Sequence, residues 1–162
     1  MTSASVALTL HDAGLAAWFG GTLMGAVGLN GASGSVADPL DRVHVATVGW
    51  ARWAPLQVVA IAAHLAGGAA MRRRAPGAPE PVAARRVATG AALAAMAWQA
   101  ALGARVAASP RTPARTGVKP LPETDDDLVP VLRQLRATQW LLPAATGALI
   151  ALHARRAEPS AP

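Results

Sequence analysis

The sequence predicts an all-α polytopic membrane protein, a bundle of four transmembrane helices, and three observations carry that prediction. Charged residues make up only 15% of the chain against 52% hydrophobic, whereas roughly 25% of a typical soluble domain is charged. The charges sit in blocks between long uncharged runs. Four of those runs approach the ~20 mostly apolar residues that a bilayer crossing needs. A length of 162 residues suits a single domain, expected over 1–156, with 157–162 as a disordered tail.

The first span is expected over 4–29. It contains HDAGLAAWFGGTLMGAVGLN, in which His11 and Asp12 are followed by eighteen uncharged residues. Gly14, Gly21, Gly25 and Gly28 recur on one stripe at spacings of three, four and seven. Gly21-x-x-x-Gly25 is a close-packing signature of membrane helices, because small residues let two backbones approach. The expected use is packing against a neighbour within the chain; a contact with a second copy is the alternative.

The second span is expected over 48–71, the third over 86–108 and the fourth over 135–153. The third is the weakest, since Ala contributes little to insertion and the run contains Gln99 and Arg105. A Gly/Ser/Asp loop joins the first two spans, a basic Pro-rich loop the next two, and a longer Pro-rich loop over 109–127 leads to the last. Thr124 to Asp127 can cap the final helix, and Pro130 suits its first turn. A helix from 128 to 153 would be about 39 Å long, longer than the ~30 Å hydrocarbon core, and Pro143 is placed to kink it.

Orientation follows from the basic residues. Arg72, Arg73, Arg74, Arg85 and Arg86 lie between spans two and three, and Arg155 and Arg156 follow span four. Dense Arg beside span ends in short loops marks the cytoplasmic side. Both termini are therefore expected inside, in the inner (cytoplasmic) membrane, although eight basic residues against seven lie on the other side. A weak repeat links AAWFGGTLMG with MAWQAALG, and RWAPLQVVAIAAH with QWLLPAATGALIALH. It fits a duplicated two-helix hairpin, the parallel type of membrane repeat.

Composition narrows the chemistry. No Cys is present, which removes disulfide, thiolate and Cys-ligated metal chemistry. A pI near 11.6 would suit nucleic acid. The Arg clusters, however, flank apolar runs and have no stacking aromatics beside them, so no nucleic-acid partner is expected. The partners expected are the bilayer and a membrane protein, another or a second copy.

Two groups of residues are candidates for a site. His11, Asp12, His64 and His153 fall at similar depth near the inner end, and ionisable groups within spans are functional candidates by default. Two imidazoles on facing helices can ligate haem iron; with Asp12 they can hold a metal or pass protons. As plain structure, His11, Asp12 and His153 are polar helix ends and His64 bonds a neighbouring helix. At the outer end, Arg52, Gln99, Arg105 and Arg136 are candidates to converge on an anionic ligand, a quinone carbonyl or a lipid headgroup, unless Asp38 or Asp41 pairs with the arginines. Trp50, Trp53, Gln57, Gln139 and Trp140 accompany them, which interfacial preference also explains.

At HDAGLAAWFGGTLMGAVGLN and RWAPLQVVAIAAH the chain resembles small actinobacterial four-span membrane proteins of unassigned function and, more loosely, the DoxX-like and anthrone-oxygenase-like bundles. The resemblance implies a four-helix bundle and carries over no catalytic residue. The leading expectation is a non-enzymatic accessory or scaffold subunit, or a small-ligand-binding bundle. The rivals are a membrane oxidoreductase or cytochrome-like protein binding haem or quinone through His11 and His64, and a small oligomeric transporter with Gln99 and Arg105 lining its path.

Overall fold

The computed structural model describes residues 2–74, 82–109 and 111–154; Arg155, Arg156 and the expected tail lie outside them. Helix α1 spans Ser3–Met24, with Thr2 accepting from Ser5 N as its N-cap. It continues through a π turn, Gly25–Leu29, into the short α2, Asn30–Ala32. Helix α3 spans Arg42–Arg74, α4 Val82–Ala107, α5 Val129–Thr138 and α6 Leu141–Ala154. The chain is predominantly helical, as expected, and runs up and down: His11, His64, Arg85 and His153 meet at one end of the molecule.

Two of the expected spans, α3 and Ala83–Ala107 of α4, are long and apolar enough to cross a membrane. Helix α3 begins six residues before the expected boundary at Val48, since Val45 N already bonds the Asp41 carbonyl. The fourth run is not one kinked helix. It breaks between Thr138 and Leu141, leaving α6 with 14 residues. Pro143 explains the position of the break. It has no N–H for the carbonyl four residues back, at Gln139, and its ring clashes with that carbonyl. The chain therefore parts from helical geometry ahead of the proline, whereas Pro55 is accommodated inside α3.

The loop over 109–127 is more ordered than its Pro content suggests. It forms a small antiparallel hairpin, β1 (Ala114–Thr116) and β2 (Lys119–Pro120). Ala114 is buried with Val43, Leu102, Val106, Val131 and Leu132 at the end of the bundle opposite the histidines. Thr124 does not cap α5, which has no side-chain cap. Its hydroxyl donates to the Pro113 carbonyl and accepts from Leu121 N, closing the loop. Asp125, Asp126 and Asp127 are exposed, and Pro130 lies in the first turn of α5.

Helices α1 and α3 make the closest contact in the fold. A Cβ on Gly14 would lie 2.5 Å from the Ala60 carbonyl and 2.6 Å from His64 N. A Cβ on Gly67 would lie 2.5 Å from the Ala7 carbonyl and 2.6 Å from His11 N. Ala7-x-x-x-His11-x-x-Gly14 thus meets Ala60-x-x-x-His64-x-x-Gly67 about a local two-fold axis. The remaining stripe is used differently. Gly21 lies beneath the Trp53 ring and Gly25 beneath the Trp50 ring, while Gly28 has only Met24 of its own helix nearby. Small residues here seat indoles as well as backbone.

Candidate functional site

Two polar constellations stand at opposite ends of the bundle. At the hairpin end a cavity of about 480 Å³ lies between α3 and α4 and reaches Leu135, Gln139 and Leu142 beyond them. Helices α3 and α4 touch only sparingly here, and Ala54, Val58, Ala100 and Ala104, which line the cavity, are exposed, so it opens sideways between the two helices. Most of the lining is apolar, and among the described residues no Asp, Glu, Lys, Arg or His contributes to it.

Neutral polar groups are placed on this wall by identifiable contacts. The π turn after Met24 delivers Asn30 to the cavity, where it links α3 to the break between α5 and α6: its Oδ1 accepts from Trp50 Nε1 at 3.1 Å and its Nδ2 donates to Gln139 Oε1 at 3.0 Å. Trp53 Nε1 donates to Gln57 Oε1, one turn on in α3, at 2.5 Å. Gln99 Nε2 donates to the Thr138 carbonyl at 2.7 Å, at the end of α5 where the helix break leaves terminal carbonyls in need of donors. Gln57 is 6% exposed. With its oxygen taken by Trp53, its Nε2 has no hydrogen-bond partner among the described residues. Gln57 Nε2, Gln139 Nε2 and Gln99 Oε1 are thus the amide groups left to meet a ligand.

Of the four outer candidates Arg52, Gln99, Arg105 and Arg136, the structure brings only Gln99 to the cavity, where it joins Trp50, Trp53, Gln57 and Gln139. Arg52, Arg105 and Arg136 are exposed and line none of it. Asp38 accepts from Leu40 N within its own turn, and no ion pair joins these arginines to Asp38 or Asp41 among the described residues. The charges point outward and the amides inward. Asn30 was missed; its sequence signal is an isolated amide closing an apolar run.

At the other end His11 and His64 are 2% and 4% exposed. His11 Nδ1 lies 2.9 Å from the His64 carbonyl and His64 Nδ1 lies 3.1 Å from the His11 carbonyl. A carbonyl only accepts, so each Nδ1 carries its hydrogen. The rings stack at 4.1 Å between centroids, 21° apart in tilt. His153 tilts against His11 at 4.9 Å, and its Nε2 is 3.3 Å from Asp12 Oδ1. Arg85, from the first turn of α4, donates to His11 Nε2 at 3.2 Å.

This arrangement does not fit haem ligation. Axial imidazoles lie on opposite faces of a porphyrin with a ring nitrogen of each directed at the iron; here the two rings are in stacking contact, 4.1 Å between centroids, with no room for a porphyrin between them. His44 is exposed and apart from the cluster. Between the two ends sits Trp18, fully buried with Ile61, Ala92 and Leu142 and edge-on to His64 at 6.2 Å. Its Nε1 has no hydrogen-bond partner among the described residues. No protein family, curated protein or solved structure matches the chain.

Proposed function

We propose that this chain is a four-span protein of the cytoplasmic membrane, with both termini inside, that binds a small uncharged, mainly apolar ligand in the cavity between α3 and α4. The membrane reading is supported by an inverted distribution of polarity. Val58, Val59, Val87, Leu56 and Met24 are 57–72% exposed, while His11, Thr22, Asn30, Gln57, His64 and Thr146 are buried. Exposed apolar surface of this extent marks a lipid or protein contact, and in lipid the polar side chains belong inside. The histidine end then faces the cytoplasm.

The cavity carries the functional reading. Its volume falls in the range of about 300–1,000 Å³ typical of small-molecule sites, and an apolar lining with a few convergent polar groups is the usual composition of such sites. The absence of lining charge disfavours a carboxylate or phosphate ligand, whose desolvation nothing would offset. Amide donors on α3 and at the break before α6 suit carbonyl oxygens, as in a quinone ring. No chemistry on the ligand is required; the reading is of a binding bundle. The discontinuity between α5 and α6 favours, as a second reading, passage of the ligand through the site, since broken helices line the sites of many transporters.

The test uses menadione, a small naphthoquinone, titrated into the detergent-purified protein while quenching of Trp fluorescence is followed. Trp50 and Trp53 border the cavity, so saturable quenching is expected. Gly103→Leu fills the cavity from α4 at a position where an added Cβ meets nothing within 4 Å, and it should abolish saturation without altering helicity. Quenching that stays linear in the wild type, or persists unchanged in Gly103→Leu, refutes the site.

A further inference from the structure

We infer that the cytoplasmic-end cluster is a divalent metal site, with His11, Asp12 and His153 as protein ligands and Arg85 as the cation that the metal displaces. The inference is independent of the cavity, which no histidine lines. One donor atom from each of the three residues lies within 4.8 Å of the other two. His153 Nε2 and Asp12 Oδ1 are already 3.3 Å apart. Two ligands about 2.0–2.1 Å from one tetrahedral ion are separated by about 3.3–3.4 Å, so this pair stands at coordinating separation. The remaining closure falls to the side chains of Asp12 and His153, which are 49% and 25% exposed, while His11 is held by the His64 carbonyl.

The orientation of His11 is the second observation. A metal-ligating histidine nearly always donates its other ring N–H to a carbonyl or carboxylate, which sets the tautomer and aims the lone pair. His11 does this: Nδ1–H is held by the His64 carbonyl at 2.9 Å, leaving Nε2 as the nitrogen that coordinates. His64, stacked on it and tied back to the His11 carbonyl, keeps the ring from rotating. Arg85 now reaches the same Nε2 at 3.2 Å. A positive charge is therefore already accepted at that lone pair, and a metal ion takes its place by moving the guanidinium aside. Two imidazoles and one carboxylate suit a borderline first-row ion such as Zn²⁺ or Co²⁺ rather than Ca²⁺ or Mg²⁺, which select oxygen.

The experiment is titration of the full chain, purified without a histidine tag and stripped with chelator. Zn²⁺ binding is read by calorimetry and Co²⁺ binding by its visible ligand-field bands. One ion per chain is expected, with Asp12→Asn and His153→Ala each weakening Zn²⁺ by at least about tenfold and shifting or erasing the Co²⁺ bands. Arg85→Gln should tighten Zn²⁺ by about tenfold, because a competing cation is gone. Both ligand changes are at partly exposed side chains, so the metal-free variants should melt with the wild type. Should His153→Ala fail to fold, Asp12→Asn and Arg85→Gln decide between them. Absence of saturable binding below about 1 mM, binding indifferent to Asp12→Asn, or weaker binding in Arg85→Gln each overturns the site.

Discussion

Gly67→Ala should separate α1 from α3, and the structure sets the size of the effect. The added Cβ would stand 2.5 Å from the Ala7 carbonyl and 2.6 Å from His11 N, backbone atoms that cannot rotate away. Restoring ordinary contact requires the helices to part by roughly 0.7 Å, since carbon seldom approaches such atoms more closely than about 3.2–3.5 Å. The two reciprocal histidine bonds, at 2.9 and 3.1 Å, then stretch beyond hydrogen-bond range. Overpacking of this kind costs about 1–3 kcal/mol, and interhelical hydrogen bonds in membrane proteins average about 0.6 kcal/mol each. The expected loss is therefore about 2–4 kcal/mol. Gly14→Ala, which meets Ala60 and His64 in the same way, should cost as much. Gly20→Ala and Gly90→Ala supply the control: nothing lies within 4 Å of a Cβ at either position, and Ala is preferred to Gly in a helix by about 1 kcal/mol. The assay is reversible unfolding in mixed micelles of increasing denaturing-detergent fraction, followed by circular dichroism. Gly14 and Gly67 variants that unfold with the Gly20 and Gly90 variants would refute the crossing as drawn.

Further outcomes follow from other contacts. Trp18→Phe removes a buried N–H that has no partner and should be neutral or stabilising, whereas Trp18→Ala should cost about 3–5 kcal/mol through the cavity left; the same unfolding assay separates them. Gln99→Leu strips the Thr138 carbonyl of its donor and should destabilise by about 1–3 kcal/mol and speed amide exchange at the α5–α6 junction. Thr124→Val opens the clasp between Pro113 and Leu121, so limited trypsin digestion should cut at Arg115 faster than in the wild type. The proposed orientation, with both termini inside, requires that a green fluorescent protein fused to the C-terminus fluoresce in cells and that an alkaline phosphatase fused there be inactive.

Much of the helical layout was legible because apolar runs and breakers are local signals. The convergence of His11, His64 and His153 was legible too, from depth arithmetic at 1.5 Å per residue. Arg85 was not, because it sat among loop-flanking arginines and only the tertiary placement of α4, seated on α6 and α5, brings it to His11. The Gly21–Gly25 spacing was seen, but the residue facing a glycine is a tertiary fact, and indoles stand there. The tightest crossing was written in the sequence as Ala-x-x-x-His-x-x-Gly at 7–14 and again at 60–67, a repeat that gains meaning only when the two helices run antiparallel. Arg52, Arg105 and Arg136 misled because charge attracts attention in an apolar run; long side chains reach outward to water or headgroups, and the short amides are left to face the cavity. The hairpin over 114–120 has too few residues and too much proline to register as strands.

The sideways opening of the cavity changes what concentration means for the proposed ligand. A mouth framed by exposed Ala54, Val58, Ala100 and Ala104 is, in a bilayer, bathed in acyl chains. Arrival is then two-dimensional diffusion within one leaflet, and occupancy is governed by mole fraction in the lipid. A compound that partitions strongly into membranes would saturate the protein at aqueous levels far below its true dissociation constant, and diluting the sample with empty vesicles would strip it off where diluting with buffer would not.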